Sequence, residues 1–228
     1  MHRLHTPTAV PLAMLLVFFL SATTTLRSAE NENWPSFRGA DALPIADNDP
    51  RLPSRWSTTD NVVWKTPIEG LGWSSPVIWG DHVFLTTVTS DGVTQEPRMG
   101  LYFPFGSPET FDDDRFPDPK PGELMEREED IHHWQVVALD FESGDIVWST
   151  EVHTAEPDFD RHIKNTFASA TPVTDGERVY VYFGNIGVYA LDFDGTVVWE
   201  RRFDAAKTRL GWGPAASPVL HDGTLFIV

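Results

Sequence analysis

Three stretches of the chain are near-copies of one another: Trp73-Ser-Ser-Pro-Val-Ile-Trp-Gly-Asp-His-Val-Phe-Leu-Thr86, Ser169-Ala-Thr-Pro-Val-Thr-Asp-Gly-Glu-Arg-Val-Tyr-Val-Tyr182 and Ala215-Ala-Ser-Pro-Val-Leu-His-Asp-Gly-Thr-Leu-Phe-Ile-Val228. Each runs from small residues through a proline and a short apolar run to an Asp-containing turn and an alternating strand. Such self-similarity is the signature of a repeat architecture.

A second motif follows the first. Ala138-Leu-Asp-Phe-Glu-Ser-Gly-Asp-Ile-Val-Trp148 and Ala190-Leu-Asp-Phe-Asp-Gly-Thr-Val-Val-Trp199 each read as a strand, a tight turn and a strand ending in Trp, which is hairpin chemistry. One repeat is thus four antiparallel strands. Pro172 and Pro218 lie 46 residues apart, within the spacing of about 40 to 50 expected of a propeller blade. Pro76 and Pro172 lie 96 apart, so the first copy carries an insertion, placed at 89–133 between its second and third strands. The expectation is an all-β chain, a β-propeller of four-stranded antiparallel blades. An irregular segment covers 30–60, and about two and a half blades cover 61–228. Propellers protect their edges by closing rings of roughly four to eight blades, so more blades are expected beyond Val228.

These residues resemble the quinoprotein-type propellers built from pyrroloquinoline-quinone repeats, whose blades end in Ala-x-Asp-x-x-Thr-Gly-Lys-x-x-Trp. Residues 138–148 match the Ala, Asp, Gly and Trp in register, with Ser143 for Thr and Asp145 for Lys. Residues 190–199 are one shorter at the turn, and Val62-Val-Trp-Lys65 looks like a lone outer strand. The resemblance implies that Trp64, Trp148 and Trp199 dock between neighbouring blades. It also implies a non-catalytic binding or scaffold module of the cell envelope, similar to the propeller that assists outer-membrane protein assembly, with a protein or polysaccharide partner. Two alternatives follow from the same superfamily. One is an alcohol or polyol dehydrogenase holding pyrroloquinoline quinone beside calcium; the other is a carbohydrate-binding or hydrolytic propeller. The dehydrogenases typically stack the quinone between a Trp and a disulfide of adjacent cysteines, and this chain has no Cys.

Composition fits an exported protein. His2, Arg3 and His5 precede the apolar run 9–20, followed by small and polar residues, so 1–29 reads as a signal peptide leaving a mature chain with no transmembrane span. A periplasmic or extracellular location follows. The net charge of −17 argues against nucleic acid and anionic membrane surfaces, which require basic patches. Acidity concentrates in the insertion, where residues 90–133 hold twelve acidic against four basic residues. Its prolines predict a long irregular loop with a short helix near 123–130, and loops of this length are functional or disordered. Because neighbouring repeats make the same connection with a few residues, the insertion is expected to be dispensable for folding.

Blade topology says where to look. The segment leading into a first strand and the connection between strands two and three emerge on one face, and the two tight hairpins on the other. The long segments 67–74, 151–169 and 203–217 and the insertion all belong to the first face. There Trp73, Lys164, Asn165 and Trp212 approach first strands that line the central channel, and they are the candidate ligand-binding residues. His132 and His133 are weighed as metal ligands with Asp112, Asp113, Asp114 or Glu129. Adjacent histidines on an extended chain point to opposite sides, so no metal site is expected. No phosphate loop, nucleophile elbow or zinc-protease motif occurs, and no catalytic residue is assigned.

Overall fold

The computed structural model describes residues 33–45, 50, 52–92, 103–104, 124–125, 128–158, 161–162, 164–203 and 213–228, all within one compact unit, Asn31–Val228. Residues 1–29, expected to be a signal peptide, lie outside the described residues. Among the described residues no helix is long and apolar enough to cross a membrane.

The fold is a set of propeller-type blades. The first contains β1 (Val77–Trp79), β2 (His82–Ser90), β5 (His132–Asp140) and β6 (Ile146–Ala155), paired antiparallel in the order β1-β2-β5-β6. The second is β7 (Val173–Thr174), β8 (Arg178–Tyr182), β9 (Val188–Asp192) and β10 (Val197–Arg201), again in sequential order. β11 (Val219–His221) and β12 (Thr224–Phe226) form the inner half of a third. Between β2 and β5 the ladder runs unbroken from His82↔Asp140 to Ser90↔His132. The strands therefore pair through Thr89 and His133, and the insertion proper begins at Asp91. Two short strands inside it, β3 (Phe103–Pro104) and β4 (Leu124–Met125), pair in parallel. The helix expected near 123–130 is not seen among the described residues there, because Leu124 and Met125 are spent on that pairing.

The inner three strands of the second blade, β7 to β9, are buried on both sides, and period-two alternation divides their side chains. Val179, Val181, Tyr189 and Leu191 pack against Val77, Phe84, Trp134 and Val136 of the first blade. Tyr180, Tyr182, Val188 and Ala190 turn the other way, toward Leu220, Leu225 and Ile227 of the third repeat.

Each hairpin bears a bulge just before its tryptophan: Ala138 pairs with Trp148 and Leu139 with Ile146, leaving Val147 extra. In β9–β10 the register shifts between Val197 and Trp199. A bulge re-aims the side chain that follows it. Trp148 consequently reaches the next blade, where its Nε1–H donates to the Phe193 carbonyl at 2.7 Å and the Thr150 hydroxyl donates to the Gly195 carbonyl at 2.8 Å. Trp64 and Thr66 repeat the arrangement one step earlier, donating to the carbonyls of Phe141 at 3.0 Å and Gly144 at 2.5 Å. The lone outer strand expected at Val62-Val-Trp-Lys65 is absent from the assigned strands. That stretch is instead tied to the first blade through Trp64 and Thr66. Trp199 sits on the outer strand β10, 37% exposed, with its ring 6.0 Å from that of Tyr180.

Residues 33–45, taken in sequence as irregular, are anchored to the inner edges of the blades. Trp34 pairs with Ile78 as an isolated antiparallel bridge, the Pro35 carbonyl accepts the Thr174 N–H at 2.9 Å, and the Asn33 side-chain oxygen accepts the Gly80 N–H at 2.9 Å.

Candidate functional site

The long connections meet on one face. The lead-in to β1 crosses that to β7, where the N–H groups of Trp73 and Ser74 donate to the Ala168 carbonyl at 3.0 and 3.2 Å. One residue on, the Ser75 N–H donates to the Thr171 hydroxyl at 3.0 Å, and the Thr171 N–H donates to the Ser217 hydroxyl at 3.0 Å. The hydroxyls of Thr171 and Ser217, each just before its repeat's proline, thus fasten the second and third repeats to the one before. On the opposite face the connections are tight turns, and the first blade's two turns are joined where the Phe141 N–H donates to the Asp81 carbonyl at 2.8 Å.

A buried polar cluster locks the end of the acidic insertion onto this face. Glu128 accepts from Arg161 through one carboxylate oxygen, and its other oxygen lies 2.9 Å from His132 Nε2. The side chains of Glu128 and Arg161 are 7% and 3% exposed, and that of His132 is 2%. Arg161 also donates to the Asn165 carbonyl at 2.6 Å and lies over the Phe167 ring at 5.2 Å. His132 packs edge-on against the same ring and donates Nδ1–H to the Asp130 carbonyl at 2.8 Å. Neither Glu128 nor Arg161 carries a local sequence signal, since the partners come from two irregular connections.

The paired histidines do point apart. His133 lies on the outer side, its Nδ1 2.8 Å from Glu151 and its Nε2 3.1 Å from Asp91. The hydrogen bonds to Asp91 and then Glu151 hold its pKa above the ordinary histidine value. The Thr154 hydroxyl and His133 hold Glu151 below the usual carboxylate range.

The residues singled out from sequence fall in different places. Trp73 is 57% exposed and lines a cleft of about 830 Å³ between the N-terminal segment and the inner strands. Lys164 is exposed on the loop before β7, with its N–H donating to His162 Nδ1 at 3.1 Å. The Asn165 side-chain oxygen accepts from the Ser169 hydroxyl, so its amide serves the loop itself. Ser169 borders both the Trp73 cleft and the narrow gap beside Asn165, which makes it the link between them. Trp212 and Asp112 to Asp114 lie outside the described residues. A third cleft, about 310 Å³, opens on the same face between His153, Glu156, Asn185 and Arg202. There burial, then the neighbouring Arg202 charge, lowers the His153 pKa.

Pyrroloquinoline quinone with calcium needs a flat sandwich and an oxygen-rich ion site. Among the described residues no group of three His, Cys, Asp or Glu is placed to hold a metal ion, and the one nearly buried acidic cluster is committed to Arg161 and His132.

Fold and face together define a set of four-stranded antiparallel, propeller-type blades elaborated on one face. Residues 132–228 match the family model described as outer membrane protein assembly factor BamB. The crystal structure of BamB from Moraxella catarrhalis is similar over 45% of this chain and 28% of that one, at 22% identity and a TM-score of 0.28. The match thus spans less than a third of that protein's length. No curated protein matches the chain.

Proposed function

We propose that this chain is an exported, non-catalytic propeller module that binds a protein partner of the cell envelope through its elaborated face. One observation carries the reading. The buried Glu128–Arg161 pair ties the insertion to the loop before β7, so two long connections form one built surface, whereas the opposite face has only turns. Burying an ion pair is expensive and is weak evidence for stability; its use here is to fix loop geometry. The family match over residues 132–228 supports a protein partner, and the acidity of this face, with Glu129 and Asp130 exposed, favours a basic patch on it.

The test places a photo-reactive amino acid at Lys164 or at Asp194 of the full-length protein in its host. Position 164 should cross-link to one discrete envelope protein and position 194 should not. Equal labelling from both, or dye-linked alcohol oxidation by the purified protein with added quinone and calcium, overturns the proposal.

A further inference from the structure

Ile78, Thr174 and Leu220 occupy one equivalent position, the second residue after each repeat's proline. All three share a register, opposite Val83, Val179 and Leu225. At this position the backbone turns its N–H and C=O away from its own ladder and toward the channel. In the first repeat the Ile78 N–H donates to the Trp34 carbonyl at 2.9 Å, and its carbonyl accepts the Trp34 N–H at 2.8 Å. In the second, the Thr174 N–H donates to the next carbonyl, that of Pro35, at 2.9 Å. One extended segment therefore serves two successive edges.

It does not serve the third. The Gly39 N–H donates back to the Ser36 carbonyl at 2.9 Å, the Ser36 hydroxyl donates to the Gly39 carbonyl at 2.6 Å, and Arg38 and Gly39 take φ of 67° and 75°. Arg38 is a non-glycine residue in the left-handed region, a conformation held against its own preference. The turn carries the chain away before Leu220, whose N–H has no partner among the described residues. Between turn and edge lies the 830 Å³ cleft, bordered by Phe37, Ala40, Trp73, Ala216, Val219 and Leu220. Alanines on one wall leave room for a bulky side chain, and two aromatic rings flank it.

We infer that this cleft takes an extended polypeptide segment, rich in aromatic residues and proline, which adds as a strand to the Leu220 edge. An unpaired strand edge is a template for another chain, and strand addition draws affinity from the main chain and selectivity from pockets for alternate side chains. The Trp34-Pro35 segment supplies the chemistry of the occupant, because it already holds the equivalent edges. The inference rests on the chain being a partner-binding module, and gives that module a mode of recognition.

The test uses the full-length protein and a fluorescein-labelled peptide, Asn-Trp-Pro-Ser-Phe, copying residues 33–37. Anisotropy should show saturable binding. N-methylation of the peptide's Trp removes the backbone donor and should weaken binding about tenfold, as loss of one hydrogen bond worth about 1.4 kcal/mol would. Ala216→Trp, which fills the cleft, should weaken it at least as much. An N-methylated peptide that binds as tightly as its parent, or no binding at all, overturns the inference whether or not the Ala216→Trp protein folds. If the Lys164 cross-links persist while the peptide fails, only the strand-addition mode is wrong. If the cross-links fail too, the module reading falls with it.

Discussion

The Glu128 carboxylate and the Arg161 guanidinium, 33 residues apart in the chain, meet where both side chains are almost fully buried. Removing one partner strands the other charge, which costs about 3–5 kcal/mol, whereas an apolar replacement of both avoids that penalty. Arg161→Met alone should therefore be strongly destabilising, and Glu128→Leu combined with Arg161→Met should recover most of the loss. Urea unfolding of the full-length protein measures both. Simple additivity of the single effects would show that the pair is not coupled.

The same pair changes what excision of the insertion should do. Sequence alone suggests that the insertion can be removed at no cost to the fold, since loop closure changes by only about 0.6 kcal/mol per doubling of length. Deleting residues 91–131 also deletes Glu128 and leaves Arg161 buried without its carboxylate. The deletion should lower the melting temperature markedly, and adding Arg161→Met should restore much of it. Circular dichroism melts of the two deletions decide the matter; equal melting temperatures would mean that Arg161 finds another partner.

Trp148 and Gly195 form a matched pair across two blades. A Cβ on Gly195, which has φ of 85°, would come within 2.7 Å of the Trp148 ring. Gly195→Ala should cost at least about 1 kcal/mol, from a backbone conformation that alanine resists, before any clash is counted. Trp148→Ala should cost about 3–5 kcal/mol. Neither should alter the Lys164 cross-links in protein that remains folded. Loss of cross-linking at unchanged stability would make Trp148 a binding residue.

His133 carries a pH dependence whose sign is fixed by its two carboxylates. Its pKa is raised in the folded chain by Asp91 and then Glu151, so the contact stabilises fully below the unfolded value near 6.5 and fades as pH rises through the higher folded one. NMR titration of the ring should report a midpoint above 6.5, and Glu151→Gln should move it down. A midpoint unmoved by Glu151→Gln would mean that this carboxylate does not act on His133.

Blades were legible in the sequence because their determinants are local. The proline, the Asp–Gly turn and the alternating apolar residues of 172–182 each act within a few positions, and the tryptophan at 148 or 199 marks a hairpin end. What was not legible depends on partners far apart in the chain. Trp34 falls in the segment 30–60 that reads as irregular, until its backbone is seen against Ile78. Glu128 is one carboxylate among twelve in an acidic stretch, and nothing nearby marks it as the one that goes inside. Asn165 reads as a ligand-facing amide, yet its oxygen is used by Ser169 four residues on. Trp73 lies beside an inner strand because it sits three residues before Pro76, in the lead-in to β1.

The indole and hydroxyl of Trp148 and Thr150 grasp the turn of the following blade, just as Trp64 and Thr66 grasp the turn before β6. Each joint is therefore encoded half in one repeat and half in the next. A cut between repeats divides a joint, while a cut through the middle of one keeps the joints on either side whole. The segment that keeps a joint whole is thus offset from the visible blade, running from one Trp-x-Thr to the glycine turn that receives it, as from Trp148 to Gly195. A chimaera spliced at that offset boundary carries its own fasteners.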